Sequence, residues 1–184
     1  MAKFRGFIAI DIPTNKKIID MENEIKDIGA DLKLVEPENI HVTLKFLGDT
    51  DEEKIDEIEE IMKNSTKGLT PFNIKLKGSG VFPNNNYIKV IWVALENAEK
   101  IGEIAKKIDK QLEKLGFKAE KRGFSAHLTI ARVKSSRNKE KLLQIIEKYQ
   151  DVEFAIIDVN SVILKKSELT PKGPIYTNLR EVKL

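Results

Sequence analysis

The sequence contains no cysteine, which excludes disulfide bonds and metal sites built on thiolates. It also lacks any apolar run near the roughly 20 residues that a membrane-spanning helix needs. The first residues are interrupted by charges too early to form a signal peptide. We therefore expect a cytoplasmic protein that has no membrane segment and needs no cofactor.

The sequence also has little excess of charge of either sign. The chain has 32 basic and 29 acidic residues, so its formal net charge of +3 permits a polyanionic partner without demanding one. With 41% hydrophobic residues, the 184-residue chain is too apolar to be disordered and long enough for one domain. The Lys/Glu-rich, cysteine-free composition is typical of hyperthermophile proteins and predicts melting above roughly 70 °C.

Histidine is nearly absent, and the two histidines present share one frame. Each is followed by an aliphatic residue, a threonine and another aliphatic residue, in the segments His41-Val42-Thr43-Leu44 and His127-Leu128-Thr129-Ile130. Histidine is the side chain whose ordinary pKa lies nearest neutral pH. Two histidines in matching frames, nearly half the chain apart, suggest an acid/base pair carried by two halves of one fold.

Alternation along a strand gives each histidine a partner. Because side chains point to opposite faces in turn, His41 and Thr43 share one face, as do His127 and Thr129. If the two faces meet, two imidazoles and two hydroxyls line one cleft. That set suits phosphodiester cleavage, because one imidazole takes a proton, the other gives one, and hydroxyls bind phosphoryl oxygens.

Hydrophobic periodicity predicts alternating helices and strands. The segment Pro13-Thr14-Asn15 offers an N-cap for a helix that ends at Gly29, Thr50 or Asp51 offers one for the next helix, and Gly116 ends a third. The fourth helix carries apolar residues over 142–146. The predicted strands are 4–10, 40–47, 72–82, 87–95, 125–133, 154–164 and 175–182.

The two halves repeat the same order of elements at nearly the same spacing. We therefore predict an α+β, bilobal, pseudo-two-fold duplicated fold, with two antiparallel sheets facing a central cleft and helices on the outside. The chain, residues 1–184, is expected to be one bilobal domain whose pseudo-repeats break near the turn at 83–86.

Two other interpretations of the histidines stay open. Duplicated histidines can be structural, satisfied polar residues on a strand. A metal site needs at least a third ligand, and neither motif carries an adjacent carboxylate. We expect no metal.

The motifs resemble those of the two-histidine phosphoesterase superfamily and, more narrowly, of the bacterial and archaeal 2′-5′ RNA ligase family, also called RNA 2′,3′-cyclic phosphodiesterase. The resemblance extends over nearly the whole chain. Ala126 stands where the family often has proline. The similar segments are Arg5-Gly6-Phe7-Ile8-Ala9-Ile10-Asp11-Ile12-Pro13, residues 39–48, residues 122–132 and Gly173-Pro174-Ile175-Tyr176.

The resemblance implies hydrolysis of an RNA 2′,3′-cyclic phosphate to a 2′-phosphate. In that scheme His41 is the proton donor to the leaving 3′ oxygen, His127 is the proton acceptor from water, and Thr43 and Thr129 hold the phosphate. The reverse reaction with a 5′-hydroxyl end would give a 2′-5′ linkage. The implied partners are RNA ends with a cyclic phosphate, including tRNA fragments, and we expect a monomer.

Further substrate-binding residues are predicted near the motifs. The family places a phosphate-binding arginine at Arg132, which strict alternation puts on the wrong face unless a bulge re-aims it. Alternation places Lys45 on the face of His41, where it would meet the RNA backbone. Arg5 would line the cleft floor. Among the aromatics, Phe124 and Tyr176 are candidates for base stacking, whereas core packing is expected for Phe7, Phe46 and Trp92.

The sequence leaves two alternative functions open. The same chemistry would serve a small cyclic phosphate derived from a nucleotide or ADP-ribose. A non-catalytic RNA-binding module is the other possibility, and the intact histidines and threonines argue against it.

Overall fold

A computed structural model gives the fold of residues 2–184, so the first residue of the predicted 1–184 domain lies outside the described part. Four helices and nine strands follow one another in this range: β1 (Lys3–Asp11), α1 (Lys16–Asp27), β2 (Leu32–Leu34), β3 (His41–Asp51), α2 (Ile55–Thr66), β4 (Phe72–Asn84), β5 (Tyr87–Glu96), α3 (Glu99–Leu112), β6 (His127–Val133), α4 (Lys139–Tyr149), β7 (Glu153–Val159), β8 (Ser161–Thr170) and β9 (Gly173–Lys183).

The strands form two antiparallel sheets. Sheet A has the order β3-β1-β8-β9, and sheet B has the order β2-β6-β5-β4-β7. Each histidine strand lies beside the first strand of its own half, β3 beside β1 and β6 beside β5. The predicted fold class, a duplicated α+β fold built on two antiparallel sheets, is confirmed.

Each sheet is covered by two helices, one of which follows a strand of the other sheet. α3 contacts β3, and α2 contacts α3 and β9, so this pair lies against sheet A. α4 contacts β4, and α1 contacts α4, so the second pair lies against sheet B. Because α1 follows a strand of sheet A and α3 follows a strand of sheet B, each of these helices covers the sheet of the other half.

The predicted helix start at Asn15 is confirmed, whereas the start predicted for the next helix is wrong. The Asn15 side-chain oxygen accepts a hydrogen bond from the Ile18 amide at 3.1 Å, which satisfies an otherwise free donor of α1. Asp51 makes no capping bond. Thr50 donates instead to the Gly48 carbonyl, and a 3₁₀ turn, Glu52–Lys54, leads into α2.

The single strand predicted over 154–164 is wrong. The chain leaves sheet B at the end of β7, passes Asn160, and enters sheet A as β8. Buried Val159 and Val162 flank the break, so the apolar pattern runs on across it. Periodicity reports burial but not which sheet buries a residue. The hydrophobic pattern did not predict the short strand β2, because three residues are too few to show a periodicity.

One hydrophobic core joins both lobes, with fully buried residues from both sheets and all four helices. The turn at 85–86 closes the β4–β5 hairpin inside sheet B, so the lobes are not simply the two sequence halves. The repeat boundary near 83–86 stays a prediction. No helix within residues 2–184 is long and apolar enough to cross a bilayer.

Candidate active site

The two imidazoles are anchored in the same way. Nδ1 of His41 bonds the Asn39 carbonyl oxygen at 2.7 Å, and Nδ1 of His127 bonds the Ser125 carbonyl oxygen at 2.8 Å. A carbonyl oxygen only accepts, so each Nδ1 carries the proton and donates it. Each Nε2 is thereby left for chemistry, either as a proton acceptor or, in the charged ring, as a donor.

The predicted alternation around the motifs is confirmed. Val42 and Leu128 are fully buried in the core, while the histidines and threonines on the opposite face are only partly buried. β3 and β6 contact one another, which brings the two polar faces together.

A bulge follows each motif at the same position. Leu44 is an extra residue of β3 opposite β1, and Ile130 is an extra residue of β6 opposite β5. A bulge shifts the alternation by one, so the residue five positions after each histidine returns to the histidine face. Those residues are Phe46 and Arg132. The re-aiming that the Arg132 prediction required is therefore present.

The same bulge overturns two expectations. Lys45 lies on the core face, where its ammonium group is paired with Asp109 of α3 and donates to the Lys118 carbonyl. The prediction that it shares the face of His41 is wrong. Phe46 was expected in the core, yet 63% of its surface is exposed on the histidine face.

Arg132 is close to both histidines. Its positive charge contributes to lowering the pKa of His41, of His127 and of Tyr176. A single guanidinium therefore acts on residues from both sheets. Its positive charge lies where the two motifs meet.

The His41 ring is packed on three sides. Its centroid lies 4.9 Å from that of Phe7, and Tyr176 meets it edge-on at 5.5 Å. Its Nε2 lies 2.9 Å from the Thr43 hydroxyl, which donates to the neutral ring. Burial lowers the pKa of His41, as do the positive charges of Lys165 and Arg132.

A charged cluster beside His41 escaped the sequence analysis. Lys165 is 7% exposed and bonds the carboxylate of Asp11 at 2.9 Å and the Asn178 side-chain oxygen at 2.8 Å. The Asp11 charge raises the pKa of His41, against the larger effect of burial. Lys165 comes from β8, so only knowledge of the strand order could have placed it near a histidine.

The surroundings of His127 are apolar instead. Phe82 meets the ring edge-on at 5.1 Å, and Trp92 lies 5.1 Å from Phe82. Trp92 pairs with Thr129 and packs over Gly80, where a Cβ would stand 2.3 Å from the indole ring. Burial and the charge of Arg132 lower the pKa of His127.

Trp92 thus lies on the histidine face and is half-buried, rather than in the core as expected. Its buried indole nitrogen has no hydrogen-bond acceptor in the described part of the chain. Alternation along the strands is the only sequence feature that could have placed Phe82 and Trp92 on the histidine face. It does not show which strand lies beside them, so their contact with the His127 strand was not predicted.

The remaining predicted residues separate into two groups. Arg5 and Tyr176 lie at the cleft, because Arg5 shares the face of Phe7 along β1 and its charge acts on Tyr176. Phe124 is partly buried against the core and lies 3.7 Å from where a Cβ on Gly102 of α3 would stand. Its contacts are therefore with α3 rather than with the rings around the histidines.

The assembled site holds two Nε2 atoms, two threonine hydroxyls and one guanidinium. It can move a proton in each direction and stabilise a phosphoryl anion. Within residues 2–184, no group of three or more histidine, cysteine, aspartate or glutamate side chains is arranged to hold a metal ion.

Comparison with known proteins agrees with this geometry. The model of the LigT like Phosphoesterase family matches the chain twice, over residues 10–92 and 93–176. The chain is 49% identical over 179 residues to an RNA 2′,3′-cyclic phosphodiesterase of Methanocaldococcus jannaschii, covering 96% of this chain and 99% of the relative. It is 41% identical over 184 residues to the protein of that name from Methanothermobacter thermautotrophicus, covering 99% and 100%.

A solved structure, that of TT0787 from Thermus thermophilus, shares the fold with a TM-score of 0.81 and 26% identity. The match covers 98% of this chain and 97% of that one. The twofold match of the family model parallels the duplicated histidine motifs on β3 and β6. The chain belongs to the LigT-like phosphoesterase family.

Proposed function

We propose that the protein hydrolyses the 2′,3′-cyclic phosphate at an RNA 3′ end to a 2′-phosphate, without a metal ion. The observation that carries the proposal is the pair of Nδ1–carbonyl bonds, which makes Nε2 the reactive nitrogen of each histidine, with Arg132 close to both rings. The relatives at 41% and 49% identity bear the name of this activity, which supports RNA ends as the substrate.

In the proposed reaction, Nε2 of His127 takes a proton from water as the water oxygen attacks phosphorus. The bond from phosphorus to the 3′ oxygen breaks, and Nε2 of His41 gives that oxygen a proton. Thr43, Thr129 and Arg132 bind the non-bridging oxygens, on which charge accumulates. The histidines then exchange protons with solvent.

The assignment of His41 as the donor follows the resemblance to the family, and one feature of its surroundings is consistent with it. The Asp11 carboxylate beside His41 favours the charged ring, although burial and the charge of Lys165 favour the neutral ring more strongly, and no carboxylate is among the groups that shift the pKa of His127. A bound phosphate would raise the pKa of both rings, which offsets the lowering by burial. Because His41 is the more deeply enclosed ring, we assign the water-activating role to His127.

The same groups would also serve ligation. If the 5′-hydroxyl of a second RNA takes the place of water as the nucleophile, its attack on the cyclic phosphate breaks the bond to the 3′ oxygen and joins the two ends through a 2′-5′ bond. His127 would then activate the 5′-hydroxyl while His41 protonates the 3′ oxygen.

The first experiment replaces each histidine with alanine and measures hydrolysis of an oligoribonucleotide that ends in a cyclic phosphate. Each variant should lose about 10²- to 10⁴-fold in kcat/KM, the usual contribution of general acid–base catalysis. The wild-type protein treated with EDTA should keep its full rate. Retention of activity by both variants would refute the mechanism, and loss of activity with EDTA would refute metal independence.

Product analysis and substrate choice separate the alternatives. A 2′-phosphate product is expected, whereas a 3′-phosphate would reverse the assignment of the leaving oxygen. If kcat/KM for a cyclic mononucleotide, or for a cyclic phosphate derived from ADP-ribose, equals that for the oligoribonucleotide, the result would favour a small-molecule phosphodiesterase. Binding of RNA with no turnover of any cyclic phosphate would favour an RNA-binding module.

A further inference from the structure

A basic pocket lies outside the histidine cleft, at the end of sheet B toward which β6 runs. Its volume is about 230 Å³, and it is bounded by the β4–β5 turn, the segment after β6 and the start of α4. Its polar lining is formed by Tyr87, Lys89, Lys134, Ser135, Ser136 and Lys139. None of the mechanistic steps above uses these residues.

The charge in this pocket is unbalanced. Its lining, as the structure describes it, contains three lysines and no carboxylate. Within residues 2–184 none of the three ammonium groups forms an ion pair, although lysines elsewhere in the fold are often paired. In a chain with a net charge of only +3, three unpaired cations in one concave site are a local anion-binding surface.

An exposed aromatic ring accompanies the charge. Tyr87 is 58% exposed, and the ammonium group of Lys89 lies 5.0 Å from its ring centroid. Lys139 donates a long bond, 3.5 Å, to the Asn86 carbonyl. Lysines with an exposed ring and nearby serine hydroxyls are the combination that binds single-stranded nucleic acid, through phosphates and base stacking.

The pocket begins one residue beyond Arg132, at the end of sheet B. Arg132 pairs with Val90, and the next residues outward on the two strands, Val133 and Lys89, both line the pocket. Because Val133 packs against the core, on the face opposite Arg132, an RNA strand would pass around the end of the sheet to reach the pocket. Lys134 lies about 23 Å beyond His127 along the chain at about 3.3 Å per residue. A single strand of about seven stacked nucleotides, at 3.4 Å each, spans that distance, and fewer nucleotides suffice when extended.

We propose that this pocket binds backbone phosphates of the same RNA strand, upstream of the cyclic phosphate held by the histidines. The inference rests on the proposed function, because it requires an RNA 3′ end in the cleft. It accounts for how one cleft would prefer an RNA end to a cyclic mononucleotide, since only a longer strand reaches the pocket.

The test compares a dinucleotide and a decanucleotide that both end in a 2′,3′-cyclic phosphate. For the wild-type protein, kcat/KM at 0.1 M salt should be about 10- to 100-fold higher for the decanucleotide, as phosphate contacts at low salt predict. The triple glutamine variant should lose this advantage while its rate on the dinucleotide changes less than about twofold. The substitutions are Lys89→Gln, Lys134→Gln and Lys139→Gln.

Salt dependence gives a second readout. For single strands each phosphate contact contributes about 0.7 to the slope of log kcat/KM against log salt, so the triple variant should lose about 2 in slope on the decanucleotide. The matched control removes three exposed lysines from the outer helix α3 that form no ion pair with any other residue of the range 2–184. Its substitutions, which should leave both the slope and the length preference unchanged, are Lys106→Gln, Lys107→Gln and Lys110→Gln.

The outcomes separate the two proposals. If the wild-type protein cleaves neither substrate, the proposed function fails. If it cleaves the dinucleotide but shows no preference for the decanucleotide, or if the pocket and control variants lose that preference equally, the pocket proposal alone is overturned.

Discussion

The two histidine strands, β3 and β6, share the same local structure but have different neighbouring residues. On β3 and on β6 the histidine, the threonine and the bulge occupy equivalent positions. The residues around them differ: Phe46 in one lobe corresponds to Arg132 in the other, and Lys45 corresponds to Ala131. Opposite the histidines themselves, β1 presents Asp11 where β5 presents Ala94.

This comparison separates what the chemistry needs twice from what it needs once. A proton taken and a proton given require two imidazoles in the same setting, so the anchored ring is duplicated. Under the proposed mechanism, a cation on the histidine strand itself, an exposed ring there and a carboxylate opposite the histidine are each needed once. Arg132, Phe46 and Asp11 accordingly have no counterpart of the same kind at the equivalent position of the other lobe.

The largest effect should come from the position five residues after each histidine. Arg132→Met should lower kcat/KM by about 10²- to 10³-fold, the cost of removing one donor to a developing anion, whether or not the substrate carries a base. Phe46→Ala should cost about 5- to 150-fold, which corresponds to about 1–3 kcal/mol of stacking on one base.

A cyclic ribose phosphate without a base separates these two roles. On it the Phe46→Ala penalty should disappear, while the Arg132→Met penalty stays. Phe46→Trp, which keeps an exposed ring, serves as the matched control. An equal Phe46→Ala loss on both substrates would show that Phe46 acts on the phosphate site or on folding instead.

The next effect is on stability. Lys45→Met should destabilise the protein by about 2–4 kcal/mol, because it leaves the Asp109 carboxylate without its buried partner and frees the loop at Lys118. Chemical denaturation of Lys45→Met, Asp109→Asn and the double variant measures the coupling between the two residues.

The opposite result for Lys45→Met would be a raised KM with unchanged stability. It would restore Lys45 as an RNA contact. Ala131, at the equivalent position of β6, provides no cation at all, so no corresponding tie is expected in the other lobe.

The smallest effect concerns pH. Both histidines have a pKa below its usual value of 6.5 in the free protein, so kcat/KM should peak on the acidic side of pH 6.5. The falling limb requires protonated His41. Asp11→Asn removes a charge that raises the pKa of His41 and leaves Lys165 uncompensated, so this limb should move to lower pH, with a several-fold loss at pH 7.5.

Ala94→Asp is the complementary change. A carboxylate opposite His127 should raise the pKa of that ring and move the rising limb, which requires neutral His127, to higher pH. If Asp11→Asn moves the rising limb instead, the roles of the two histidines are exchanged.

Sequence patterns placed the motif residues correctly but misplaced or missed several of their neighbours. Period-2 alternation placed His41 with Thr43 and His127 with Thr129, because these residues precede each bulge. It misplaced Lys45 and Phe46, since one extra residue inverts every later face and leaves no mark in composition. For Arg132 a bulge was invoked only because the family resemblance required one.

Other neighbours of the histidines could not be predicted from the sequence for a different reason. Lys165, Phe82 and Trp92 approach the histidines across strands whose order is set by long-range pairing. Hydrophobic periodicity carries no information about which strand lies beside which. The same limit concealed the change of sheet at Asn160.

That change of sheet has a consequence for how the molecule is held together. Because β8 and β9 complete sheet A after the chain has built sheet B, and because α1 and α3 cover the opposite sheets, neither lobe is a contiguous piece of polypeptide. A cut in the β4–β5 turn, near the midpoint of the chain, would separate β8 and β9 from the other two strands of sheet A. The same cut would separate β2 and β4 from the other three strands of sheet B. The cleft is therefore assembled only after strands from both ends of the polypeptide have come together.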